Sequence, residues 1–169
     1  VLEHWIEDNH FVLHRLSTGD LPNLLQTADP HNAVVMGHSF GGVVALELGK
    51  NPPAGVRGII NLDGPWLLYP DQIQQALKIP ALLIPSTQNQ FSGQDMGLHG
   101  TFRLLAEAAG SSVQILELKS SGHFNFTDLN YFPVLKLFSP LLGDADNLQM
   151  GTELNKVLVE FLGQLLKDR

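Results

Sequence analysis

Ser39 lies in Gly37-His38-Ser39-Phe40-Gly41-Gly42, a G-x-S-x-G arrangement. A serine so placed can attack a carbonyl carbon if its neighbours set it up. Ala33-Val34-Val35-Met36 runs into the motif with strand composition, and Val43 to Leu48 leaves it in a helical pattern. A sharp strand-to-helix turn is expected here, with Ser39 in a strained conformation and its hydroxyl exposed. Gly37 and Gly41 lack Cβ, which lets strand and helix approach closely. The same turn sets the Phe40 backbone N–H at a helix start, where the dipole favours developing negative charge, as an oxyanion donor must.

A serine hydroxyl alone is a weak nucleophile, so a base and an acid are required. His123 follows Ser120-Ser121-Gly122 after an apolar run and fits the base, which takes the serine proton and returns it to the leaving group. For the acid, Asp63 ends the apolar run of Leu62-Asp63-Gly64-Pro65, where a merely solvated charge is hard to explain. The loop after Ile84 offers Asn89 and then Asp95 as the competing position, and Asp63 is favoured. Asp128 is expected to cap the helix after it. His38 is expected to pack or hydrogen-bond locally. His10 and His14 have the i, i+4 spacing of a metal pair but no accompanying H-E-x-x-H glutamate, so a solvated helix face is expected and no metal.

The elements that must position these residues alternate. Val1 to Leu16 reads as a helix, with Leu2, Trp5, Ile6, Val12, Leu13 and Leu16 apolar. Asp20-Leu21-Pro22 starts a short one. After the elbow strand and its helix come a strand at 56–62, a short helix from Asp71 to Leu77, and a strand at 81–84. A helix from Thr101 to Ala109, a strand at 113–118 and a last helix from about Glu153 to Leu166 follow. Such alternation implies a parallel α/β sheet with right-handed crossovers. Ser39, Asp63 and His123 each follow a different strand end. They therefore converge on the carboxyl edge, where such sheets bind ligands. Their chain order, Ser…Asp…His, is that of α/β-hydrolases.

Composition narrows the classes. A chain of 169 residues with 44% hydrophobic and 16% charged residues can bury one sizeable core, so residues 1–169 read as one domain. A net charge of −7, with no block of like charges, speaks against nucleic acid as a partner, which would need a basic face. There is no Cys, so disulfides are excluded. No apolar run is long enough for a transmembrane segment. No phosphate-binding loop or dinucleotide fingerprint occurs, and no cofactor is implied.

The stretches GHSFGG at 37–42, INLDGPWLLYP at 60–70, IPALLIPS at 79–86 and SSGHFNFTDL at 120–129 resemble the plasma-type platelet-activating-factor acetylhydrolases and their bacterial relatives, within the α/β-hydrolase superfamily. The resemblance implies Ser39 as nucleophile, Asp63 as acid, His123 as base and Phe40 N–H as an oxyanion donor. It implies a serine carboxylic-ester hydrolase acting through an acyl-enzyme on short-acyl phospholipids or other lipophilic esters. A polyester or lipase-type hydrolase is the nearest alternative, and a non-catalytic interaction domain that kept the fold is the rival from another class. The four strands counted fit the C-terminal half of an α/β-hydrolase sheet. The N-terminal strands, the second oxyanion N–H and any targeting segment are expected to precede Val1, and residues 1–169 alone are expected to be poorly active.

The segment from Leu129 to Leu142 is rich in apolar residues, among them Tyr131, Phe132, Val134, Leu135, Leu137, Phe138 and Leu141. It reads as part of an acyl-pocket wall, as a surface making peripheral lipid contact, or as an ordinary buried helix and loop.

Overall fold

The computed structural model describes residues 1–20, 27–64, 77–88, 90–91, 94–95, 102, 106, 112–132, 134 and 141–167. Helix α1 spans Leu2–Ser17, strand β1 Ala33–His38, helix α2 Phe40–Lys50, β2 Val56–Leu62 and β3 Ala81–Ile84. The two-residue strands β4 (Gln90–Phe91) and β5 (Gln94–Asp95) form a small antiparallel pair. Then come β6 (Val113–Ile115), 3-10 turns at His123–Phe126 and Asp128–Tyr131, and helix α3 (Asn147–Lys167). The helices expected at Leu21-Pro22 and across 71–76 lie outside the described residues. Of the helix expected from Thr101 to Ala109, Phe102 and Ala106 are described, and both are helical.

Strands β1, β2, β3 and β6 form one parallel sheet in that order. Its inner strands read as continuous apolar runs because both faces are covered. On β2, Ile59 joins Val43, Ala45 and Leu46 of α2 and the fully buried Phe102 on one face. Ile60 and Leu62 point the other way, to Met150 and Phe161 of α3. On β3, Ala81 and Leu83 share the α2 face and Leu82 and Ile84 the α3 face. The α/β layering expected from the alternating pattern is thus observed.

Two elements differ from expectation. The fourth strand stops at Ile115; beyond it Leu116 N still donates to Leu83 O at 3.0 Å, and Leu118 pairs through an isolated bridge to Ser86. The last helix begins at Asn147, because Asp146 Oδ1 accepts from Leu148 N at 3.1 Å and Gln149 N at 2.8 Å. Helix α1 forms as expected but buries none of its residues, and its Trp5, Phe11 and Val12 are exposed. Strand β1 is likewise only half-buried, with Met36 54% exposed, whereas six of the seven residues of β2 are buried.

At the elbow, Gly37 is required and Gly41 is not. A Cβ on Gly37 would collide with the backbone carbonyl of Gly41. One on Gly42 would meet the Asn61 side chain at 2.9 Å, while one on Gly41 would meet none of the described residues within 4 Å. The close approach is therefore secured by Gly37 and Gly42 and not by a bare Gly41. Gly37→Ala should lose about 3 kcal/mol or more of stability in urea unfolding, since backbone must move. Gly41→Ala should gain about 0.5–1 kcal/mol, the ordinary helical preference for Ala.

Candidate active site

Ser39 occupies the turn between β1 and α2, at φ 56° and ψ −124°. Such a conformation costs about 1–3 kcal/mol for a residue with a Cβ and persists only where its surroundings impose it. Here Ser39 N donates to Leu62 O at 3.0 Å, while Ser39 O accepts from Gly42 N at 2.9 Å. The chain must therefore turn within one residue from strand pairing to helix. The result lifts Oγ out of the turn and leaves the Phe40 N–H among the first-turn donors of α2, which have no intrahelical acceptor. The Phe40 ring is braced edge-on by Trp5 of α1, with centroids 5.2 Å apart.

Asp63 also has positive φ, 50°, and is fully buried. Its N–H donates to Ile84 O at 2.9 Å, so the end of β3 fixes its backbone. Its carboxylate accepts from Ser86 N at Oδ1 (2.8 Å), and from Ser86 Oγ at Oδ2 (2.8 Å). Oδ2 also accepts from His123 Nδ1 at 2.7 Å. Burying a carboxylate is costly unless donors surround it, and these three supply what water would. Asn61, one pleat earlier, accepts from Gly64 N at 2.7 Å and closes the turn beyond Asp63; among the described residues its Nδ2 has no hydrogen-bond partner.

His123 opens a 3-10 turn and is 7% exposed. Because Nδ1 faces a carboxylate, it carries the proton, and Nε2 presents its lone pair. That lone pair lies 3.1 Å from Ser39 Oγ, so the hydroxyl donates to it. The arrangement can pass the Ser39 proton to Nε2 while Asp63 stabilises the resulting imidazolium.

The turn bearing His123 is tied down by asparagines. Asn125 Oδ1 accepts from Gly122 N (2.7 Å) and Gly143 N (2.9 Å), and its Nδ2 donates to Asn130 Oδ1 (2.7 Å). Asn130 Nδ2 donates to Asn147 O at 2.8 Å, which links the turn to the first residue of α3.

Ser39 and Asp63 are thus brought together at the ends of β1 and β2 with His123 from the 3-10 turn beyond β6. Residues 94–95 form β5, in the small pair outside the main sheet. Asp128 does not cap the turn it begins; Thr127 Oγ1 does, accepting from Leu129 N at 3.3 Å. His10 and His14 are both exposed on α1, and among the described residues no three metal-ligating side chains converge. The hydrogen bond of His38 is remote in sequence: its Nε2 donates to the His123 carbonyl at 2.9 Å. Burial pushes the His38 imidazole below its ordinary range, and the charge His123 can carry adds to this; the hydrogen bond and Asp63 pull the other way. His38 is therefore neutral at pH 7.

Sequence reasoning missed Ser86, although it scanned the loop after Ile84 for an acid. The signal was the position itself: the strand end beside Asp63 must offer donors to a buried carboxylate. In the 60–70 stretch, residues 65–70 lie outside the described residues. In the 129–142 segment, residues 133 and 135–140 do so.

A parallel sheet covered by helices on both faces, with a serine on a strained strand-to-helix elbow, defines an α/β-hydrolase fold. The chain belongs to the family of platelet-activating factor acetylhydrolase, isoform II, whose profile matches residues 9–168. Among solved structures, a ferulic acid esterase from Streptomyces cinnamoneus is similar at a TM-score of 0.75 and 24% identity, over 100% of this chain and 49% of that one. A protein described as a predicted CIB-like hydrolase from Thermoplasma acidophilum is similar at a TM-score of 0.51 and 19% identity, over 81% of this chain and 58% of that one. At these identities the likeness is one of fold. The chain spans about half the length of these solved structures. No curated protein matches it.

Ser86→Ala removes one of the donors to a buried charge. It should lower stability by about 1.5–3 kcal/mol at pH 7 in urea unfolding, the range for hydrogen bonds to charged groups.

Proposed function

We propose that the protein is a serine carboxylic-ester hydrolase. The observation that carries this reading is the unbroken hydrogen-bonded series from Asp63 through His123 to Ser39. Ser39 Oγ attacks the ester carbonyl as its proton moves to His123 Nε2. The carbonyl oxygen becomes an oxyanion facing the Phe40 N–H. Collapse breaks the bond to the leaving alkoxide, which takes the proton from Nε2, and an acyl-Ser39 remains. Water then gives a proton to Nε2, attacks the acyl carbon and releases the carboxylic acid, and Ser39 recovers its proton.

Family membership favours short-acyl phospholipids or similar lipophilic esters as substrates. Leu129, Tyr131, Phe132 and Val134, beyond His123, are exposed, which favours peripheral contact with a lipid surface. We read residues 1–169 as one domain forming part of a larger sheet. In this reading further strands pair with the half-exposed edge of β1 and bring a second oxyanion donor.

A fluorophosphonate probe should attach to the peptide carrying Ser39, and Ser39→Ala should abolish both labelling and hydrolysis of p-nitrophenyl acetate, a loss of about 10⁴-fold or more. Labelling elsewhere, or turnover that survives Ser39→Ala, would contradict the reading. On phosphatidylcholine vesicles, Tyr131→Ser with Phe132→Ser should weaken sedimentation with lipid and leave p-nitrophenyl acetate turnover in place; unchanged sedimentation would remove the lipid-contact part alone.

A further inference from the structure

His38 lies next to the nucleophile in sequence but makes its main contacts with the base. As the last residue of β1 it is registered against Leu62 of β2, so the sheet fixes its backbone. Its side chain then crosses to the turn that starts at His123. Nε2 lies 2.9 Å from the His123 carbonyl oxygen, and the two rings lie 4.5 Å apart at 41°. Phe126, on the same turn, lies 6.3 Å from the His38 ring.

The His123 turn needs such a tie. Its other anchors reach toward Gly143, Leu141 and α3, and Ser121, just before the turn, is bonded to Thr87 and Gln88 beyond β3. Within the relay, His123 is joined to β1 through the bond to Ser39 Oγ, and attack on a carbonyl must break that bond. The bond to Asp63 survives but leads to the end of β2, so without a second tie to β1 the base is free to drift from the elbow while the acyl-enzyme exists. A misplacement of about 1 Å in such a geometry can cost 100-fold in rate.

We propose that His38 is a positioning residue, whose Nε2–H clamps the His123 carbonyl and so holds the base in line with Ser39 and Asp63 throughout the reaction. This rests on the reading of Ser39, His123 and Asp63 as the reacting set. A donor is all the role requires, and a positive charge would oppose it, since His123 becomes an imidazolium in each half-reaction. The groups facing His38 across this contact are His123 and Asp63. The neutral imidazole keeps its Nε2–H, so it clamps without opposing that charge.

Amide substitutions separate a donor from a filler. Glutamine can place its side-chain N–H near the position of His Nε2; asparagine is also polar but reaches only the position of Nδ1. In the full chain, His38→Asn should lower kcat for p-nitrophenyl acetate by about 10–100-fold, with KM within about threefold. His38→Gln should stay within about fivefold of the parent in both constants. Proton NMR of the His123 Nδ1–H, which donates to Asp63, gives a readout independent of turnover. Its downfield resonance should persist in His38→Gln and broaden or vanish in His38→Asn. Equal behaviour of the two variants, in kcat or in the resonance, would overturn the proposal, whether both keep the parent's values or both lose them. If instead the Ser39 reading is wrong, Ser39→Ala retains turnover, and the resonance still reports whether His38 holds His123.

Discussion

The site is built around one buried charge. The Asp63 carboxylate has no exposure, yet it must stay ionised to orient a histidine. A group of that kind is tolerated only where donors are already in place. Ser86 provides two of them and His123 the third. The parallel register of β2 and β3 makes this possible: Leu62 faces Ile84, so the residues just beyond both strands emerge side by side. The backbone bond from Asp63 N to Ile84 O closes the same corner. Loss of that register would leave a carboxylate in an apolar interior and His123 without its orienting partner.

The positive φ angles of Ser39 and Asp63 follow from the same constraint. Each chain must leave its strand within a residue and turn its side chain to the common edge. Strain at both positions is repaid by neighbours that fix the backbone: Leu62 O and Gly42 N for Ser39, and Ile84 O for Asp63. The buried asparagines act likewise for the third member. Asn125 satisfies the N–H groups of Gly122 and Gly143, and Asn130 ties Asn125 to the first residue of α3.

Much of this was legible in the chain. Apolar runs of β2 and β3 sit inside a doubly covered sheet, so their composition carries a strong signal. The elbow is written in Gly37 and the residues around it. Ser39 and Asp63 could be named because each follows a strand end directly, and His123 because it lies in the loop after the apolar run at 113–118. What was not legible depends on partners remote in sequence. Ser86 looks like any serine until Asp63 lies beside it, 23 residues away along the chain. Asn125 and Asn130 read as polar loop residues, and only the fold shows them buried. Helix α1 has the periodicity of a core helix, but burial depends on what packs over it, and periodicity does not report that. The start of α3 at Asn147, six residues ahead of the expected start near Glu153, is marked in the chain by its capping residue, Asp146.

The account depends most on Asp63, not Asp95, being the acid that orients His123. The direct measurement is the second-order rate at which a fluorophosphonate labels Ser39 in Asp63→Asn and in Asp95→Asn. Asp63→Asn should slow labelling by about 10³-fold or more, because the amide no longer enforces the required tautomer, while Asp95→Asn should remain within about threefold of the parent. The reverse order, or labelling that is indifferent to Asp63, would contradict the account.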